Sequence, residues 1–180
     1  MTKLPKKTLD KLRPLEKSLR GAVAKGAAEE AIEIAGQIQQ LFTGRRHHRL
    51  LKAKLWAFEA ALDANLLTYA ESGFTGIRKL SNKGTRIYLE ASALLAVVLL
   101  RQKNLKQAKR IAREVIQNIN DIISDRTRRQ FQKRFIERIE QEALLAELIG
   151  AGDARLDVDE IHNQAVLLIQ RNSDNEILRL

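Results

Sequence analysis

The sequence predicts an all-α protein, because helix-forming residues dominate the chain and residues that break helices are scarce. Proline occurs only as Pro5 and Pro14, and the 180 residues include nine glycines. Aromatic residues make up 4% of the chain, and no segment shows the alternation of polar and apolar residues that marks a half-buried strand. The expected architecture is about three antiparallel helical hairpins stacked in sequence. A closed bundle of antiparallel helices is the alternative.

The N-terminal part of the chain predicts a basic arm followed by two helices. Residues 1–14 are rich in lysine and end at Pro14, which suits the first turn of a helix. A first helix is expected from Leu15 to Lys25 and a second from Ala27 to Phe42. We expect residues 15–180 to form a single domain of helical repeats that ends in an acidic hairpin.

The middle of the chain predicts one long helix. Large apolar residues recur at helical spacing from about Arg45 to Ala70. The segment from Gly73 to Gly76 is expected to loosen the chain after this helix. A turn is then expected at residues 82–85, with Thr85 as the residue that caps the next helix.

The segment 84–120 is the most informative part of the sequence. Ile87–Leu100 contains a single charged residue, Glu90, and Arg101–Asn104 interrupts the run before apolar residues recur at helical spacing. A helix that is apolar nearly all round has to be covered on several sides, so this helical hairpin needs neighbours. A carboxylate in such a helix needs a partner, and Arg86, four residues before Glu90, is one expected partner, with Tyr88 as the alternative.

This segment resembles the tetratricopeptide repeat, most clearly over residues 84–120. The spacing of the repeat's Leu-Gly, Tyr, Ala and Phe positions is matched by Leu95, Ala96, Leu99, Ala108 and Ala112. Ala31 lies 77 residues before Ala108, a gap that holds two units of about 38 residues, whereas the family repeats at roughly 34. The resemblance implies a right-handed stack of helical hairpins that binds partners along an extended surface.

The two ends of the chain differ in charge. Residues 1–138 contain 29 Lys and Arg against 13 Asp and Glu, whereas residues 139–180 contain 3 against 9. Helices are expected over about 126–149 and 157–171 in this C-terminal part. A basic body with an acidic end indicates either an anionic partner or an electrostatic contact within or between chains.

Three basic clusters form the candidate binding surface. The first lies where the long helix is expected to begin, and the helix dipole opposes cations there, so helix stability does not explain them. Arginine also binds carboxylate and phosphate bidentately. The second cluster places four cations on one face of a helix, and the third begins the next helix. Each cluster also fits the solvated face of an amphipathic helix. The candidate residues are Arg45, Arg46, His47, His48 and Arg49; Lys106, Lys109, Arg110 and Arg113; and Arg126 and Arg129.

The motifs of catalysis are missing from the sequence, so we expect no enzyme, no cofactor and no metal site. There is no cysteine, no phosphate-binding glycine-rich loop and no pair of metal-binding histidines at helical spacing. The expected function is a scaffold that binds a protein partner or an acidic peptide. Binding of nucleic acid through its phosphates is the alternative, and self-association is a third. We expect a cytoplasmic protein that does not enter the membrane, because no apolar run has the length of a span.

Overall fold

The computed structural model describes residues 4–42, 47–122 and 124–148, and within these ranges every regular element is helical. This confirms the all-α prediction. The chain divides into two compact units, Met1–Ala91 and Ser92–Leu180, and the division falls within the fifth helix. The elements are α1 (Lys6–Ala24), α2 (Ala28–Gln40), α3 (His48–Asp63), α4 (Leu67–Leu80), α5 (Arg86–Arg101), α6 (Leu105–Ile122), α7 (Asp125–Phe131), a π-helical segment (Gln132–Ile136) and α8 (Glu137–Leu148).

Consecutive helices pack against each other within each unit. In the first unit, α2 contacts both α1 and α3, α3 also contacts α4, and α1 and α3 contact each other directly. The core between α1, α2 and α3 is built from Leu12, Leu19, Ile38 and a series of buried alanines. Because alanine is small, the helix backbones can approach closely at these positions.

The same left-handed turn ends α1, α3 and α5. The second residue of each three-residue connection has positive φ: Gly26 (70°), Asn65 (60°) and Lys103 (61°). In each turn two backbone N–H groups donate back into the helix. At the first, Gly26 donates to the carbonyl oxygen of Val23 (3.1 Å), and Ala27 donates to that of Ala22 (2.9 Å). Equivalent pairs recur after α3 and α5, so each turn satisfies the carbonyl groups at the helix end.

The predicted long helix over 45–70 is wrong, because the turn at Asn65 divides it into α3 and α4. Asparagine tolerates positive φ better than most residues, so the turn is compatible with a residue that does not look like a helix break. The glycines expected to loosen the chain lie inside α4. A Cβ atom at Gly73 would lie 2.3 Å from ring carbons of Phe58, so glycine there permits α3 and α4 to pack closely.

Helix α1 begins at Lys6 and not at Leu15 as predicted. Pro14 therefore lies inside the helix, and Leu12, part of the expected arm, is fully buried. Lys6, Lys7, Lys11 and Arg13 of this segment lie on a packed helix. The helix expected over 157–171 and the acidic hairpin lie outside the described residues.

The apolar helix predicted over Ile87–Leu100 is confirmed as α5, in which Ala91–Leu100 are all buried. The expected partner of Glu90 is also confirmed, since Nε of Arg86 donates to its Oε1 at 2.8 Å. In the described part of the chain, no helix has the length and apolar content that a membrane span requires.

A π-helical segment interrupts the helix predicted over 126–149. Phe131, Phe135, Ile139 and Ala143 are buried and follow each other at intervals of four. Steps of four in an α-helix rotate by about 40° each, so such a row drifts away from a straight contact line. The wider π-helical turn offsets part of this rotation and keeps the buried rings of Phe131 and Phe135 in contact, with centroids 4.7 Å apart and planes tilted by 42°.

The left-handed turn at Gly26 yields a test of the fold. Gly26→Ala is expected to lower the free energy of unfolding by about 1 kcal/mol, because a side chain is disfavoured at positive φ. Gly21→Ala is the control, because a Cβ at this position inside α1 meets no atom within 4 Å. It is expected to raise stability by about 0.5–1 kcal/mol. Urea unfolding measures the stability of both variants. If Gly26→Ala is as stable as the original protein, the left-handed turn at Gly26 is contradicted.

Candidate binding surface

Of the first predicted cluster, Arg45 and Arg46 lie outside the described residues, and His47 has a structural role. His47 is the N-cap of α3, where its Nδ1 accepts a hydrogen bond from the backbone N–H of Arg49 at 3.2 Å. Its ring stacks on Phe42 with centroids 4.9 Å apart. Only His48 of the two histidines is exposed. The Nδ1 atom of His47 is therefore engaged within the fold, and a role of His47 and His48 in binding stays a prediction.

Arg49 is also engaged within the protein. Its Nε donates to Oε1 of Glu16 at 2.8 Å, and its Nη2 donates to Oε2 of the same carboxylate. This bidentate pair joins α1 to α3 and is partly shielded from solvent, with 33% of the Arg49 side chain and 15% of the Glu16 side chain exposed. The arginine predicted to bind an external anion therefore already binds an internal one.

The second and third clusters lie in the second unit, on helices α6 and α7, which contact each other. Lys106 and Arg110 are exposed on α6, and Lys109 and Arg113 are half-buried. On α7, Arg129 is exposed; Arg126 belongs to the same helix. The role of these residues in binding stays a prediction.

Two matching rows of residues meet where α1 and α3 pack together. Each row has the spacing i, i+3, i+7, which places its members on one face of its helix. Glu16 pairs with Arg49, and Arg20 lies over Trp56, so the contacts advance along both helices in the same direction. Helices α1 and α3 therefore run parallel. We call this face the seam surface; it consists of Arg13, Glu16 and Arg20 on α1 and Arg49, Lys52 and Trp56 on α3.

Trp56 lies at one end of the seam surface and contacts two of its cations. The guanidinium carbon of Arg20 lies 5.1 Å from the centroid of its ring, and Nζ of Lys52 lies 5.2 Å from it. Cations at this distance from an indole are attracted to its π electrons, and an exposed pair of this kind contributes about 0.5–1 kcal/mol. The ring is half-buried against the core of the first unit. It holds two cations near each other on the outside of the protein.

Most cations of the seam surface have no acidic partner. Glu16 is bound to Arg49, and none of the carboxylates in the described ranges forms an ion pair with Arg13, Arg20 or Lys52. By contrast, α2 carries three glutamates, Glu29, Glu30 and Glu33, and no lysine or arginine. The seam surface therefore carries four cations against one carboxylate, whereas α2 is acidic.

Sequence reasoning did not single out Arg20, Lys52 or Trp56 as a joint site. Both rows have helical spacing that is visible in the sequence, but their pairing depends on the contact between α1 and α3. The prediction that the first helix begins at Leu15 places Arg13 in the basic arm, so the row of residues on α1 is not recognised from the sequence. Within the residues that the structure describes, no group of three or more His, Asp or Glu side chains is arranged to hold a metal ion.

Removing the Glu16 carboxylate tests the contact between α1 and α3. Glu16→Ala is expected to lower the free energy of unfolding by about 1–2 kcal/mol, because it leaves the half-buried Arg49 without its partner. Asp10→Ala, at an exposed position on the same helix, is the control and is expected to change stability by less than about 0.5 kcal/mol. Equal effects in urea unfolding would show that the ion pair does not stabilise the fold.

The cap of α3 predicts a pH dependence. Burial, followed by the charges of His48 and Arg49, lowers the pKa of His47 below its ordinary value of 6.5. The unfolded chain then binds this proton more readily than the folded chain, so the stabilisation is complete above about pH 6.5 and is lost as the pH falls through the lower, folded pKa. His47→Asn retains a side-chain acceptor at the cap and should remove this part of the dependence. Identical pH profiles of unfolding for both proteins would contradict the cap.

Comparison of the chain with protein-family models, with curated proteins and with solved structures found no match. What the protein binds has to follow from the chemistry of its own surface, because an all-α fold supports many unrelated functions.

Proposed function

We propose that this chain is a non-catalytic scaffold of helical hairpins that binds an acidic segment of a protein partner on the seam surface. The observation that carries the proposal is the pair of cations at Trp56, Arg20 and Lys52, neither of which has a carboxylate partner among the described residues. Glutamate and aspartate side chains of the partner bind these cations, and apolar atoms beside them pack on the indole ring. Aromatic and arginine residues are enriched where proteins bind each other, which supports this assignment.

The ion pair between Glu16 and Arg49 supports the same function indirectly. It joins the two helices that carry the cations, and it lies between Arg13 and Arg20 along α1. A surface whose helices are held in place before binding loses less conformational entropy when a partner binds. Glu16 also repels a carboxylate at the middle of the seam surface, so the partner's acidic groups are directed to Arg20 and Lys52.

We further infer that the hairpins are units of one repeat related to the tetratricopeptide repeat. The left-handed turns are separated by 39 residues from Gly26 to Asn65 and by 38 from Asn65 to Lys103. Ala31, Ala70 and Ala108 are buried at the same intervals. These units are longer than the family's roughly 34 residues. An extended stack of units, as opposed to a closed bundle, and a cytoplasmic location both stay predictions.

Nucleic-acid binding is the second candidate, and the charge of α1 favours it. This helix exposes Lys6, Lys7, Lys11, Arg13 and Lys17, of which none forms an ion pair with a carboxylate in the part of the chain that is described. A row of cations can follow a phosphate backbone without reading bases. Affinity would then fall steeply with salt, because each phosphate contact releases a counterion.

Fluorescence anisotropy with a labelled peptide of glutamate and aspartate tests the proposal. Arg20→Gln/Lys52→Gln is expected to weaken peptide binding about tenfold or more, because it removes two charge-assisted contacts. The control is Lys25→Gln/Lys83→Gln, which removes the same charge from exposed positions outside the seam surface. It is expected to leave the affinity within about threefold of the original value.

Equal losses in the two variants would show that only net charge attracts the peptide, which contradicts a defined site. The same titration with duplex DNA and structured RNA, at about 50 and 200 mM salt, tests the second candidate. Tighter binding of nucleic acid than of peptide, with a steep salt dependence that persists in Arg20→Gln/Lys52→Gln, would favour nucleic acid over the acidic protein partner.

A further inference from the structure

A small open pocket lies between α3 and α4 in the first unit. Its volume is about 200 Å³, which is below the roughly 300–1,000 Å³ of sites for small-molecule ligands. Phe58, Tyr69, Ile77 and Leu80 contribute its apolar wall. Tyr69 and Leu80 are 45% and 39% exposed, so apolar surface continues from the pocket to its rim. This size and lining fit one apolar side chain and not a separate metabolite.

Gly76 keeps this pocket open. It lies inside α4 and lines the pocket, and a Cβ atom added to it would meet no other atom within 4 Å. Its backbone does not have positive φ, and no neighbouring side chain occupies the space above it. Glycine in a helix interior lowers stability relative to alanine. Neither backbone conformation nor internal packing requires glycine here, so the space above Gly76 in the pocket is open to a side chain from outside.

Lys54 places a positive charge in the lining of the pocket. It lines the pocket from α3 and is half-buried, and no carboxylate in the described ranges forms an ion pair with it. Lys79 is exposed next to Leu80 at the rim. A half-buried cation beside apolar surface favours an occupant that carries a carboxylate next to an apolar group.

We propose that the pocket binds a phenylalanine or leucine side chain of the acidic partner, with a neighbouring carboxylate of the partner on Lys54. This inference rests on the proposed function, and it adds a sequence requirement for the partner: an apolar anchor flanked by acidic residues. The seam surface and the pocket lie on different faces of α3, so they bind different parts of the same partner.

The test compares two labelled peptides that are identical acidic sequences except for a central phenylalanine in one and alanine in the other. The protein is expected to bind the phenylalanine peptide about tenfold more tightly, because only this peptide buries an anchor. Gly76→Leu fills the pocket and is expected to remove the preference, so that the two peptides bind this variant with similar affinity. Gly36→Leu is the matched control, because Gly36 lies exposed inside α2 with open space around it. It should retain the full preference.

The possible results distinguish a failure of the proposed function from a failure of the pocket assignment. If the original protein binds neither peptide, the proposed function itself fails. If it binds both equally, or if Gly76→Leu retains the preference, the pocket assignment is wrong while acidic-peptide binding stands. Circular dichroism and urea unfolding check that Gly76→Leu folds. If Gly76→Leu does not fold, Gly76→Ala replaces it, because alanine favours the helix and its methyl group occupies part of the pocket. An undiminished preference for the phenylalanine peptide in this variant contradicts the proposal.

Discussion

The left-handed turn after α1, α3 and α5 is the constraint on which the described structure depends. It reverses the chain within three residues and leaves few carbonyl groups unsatisfied at the helix ends, so each second helix has to pack back on the first. Only a residue at positive φ can form this turn. The chain uses glycine once, asparagine once and lysine once, which shows that the hydrogen bonds and the packing of the hairpin outweigh the cost of a side chain in this conformation.

The packing of the hairpins in the first unit brings the cations of α1 and α3 close together. Because α1 reverses into α2, and α2 packs on both α1 and α3, the two basic helices lie side by side and parallel. The like charges of the two helices would repel each other, and the ion pair between Glu16 and Arg49 crosses between them. Arg20 and Lys52 lie at Trp56, whose ring attracts them without neutralising their charge. The two helices are therefore held together while both cations stay exposed.

The sequence predicted the helical class, the apolar α5 and the Arg86–Glu90 pair, because composition, periodicity and short-range spacing determine these features. It failed at Asn65, because asparagine at a left-handed turn resembles asparagine on a helix surface. It also failed for Gly73, which packs against Phe58 and breaks no helix. The seam surface depends on the contact between α1 and α3, and the engagement of Arg49 depends on Glu16, 33 residues earlier. Such long-range pairs leave no signal in local spacing.

The most direct test of this account is the stability of Lys103→Gly. If Lys103 ends α5 at positive φ, glycine removes the side-chain cost and is expected to raise the free energy of unfolding by about 1 kcal/mol. Arg110→Gly, at an exposed position inside α6, should lower it by about 1 kcal/mol, as glycine does in a helix. Opposite signs in urea unfolding would support the hairpin turns. An equal loss of stability in both variants would mean that Lys103 is in ordinary helical conformation, which contradicts the repeated turn.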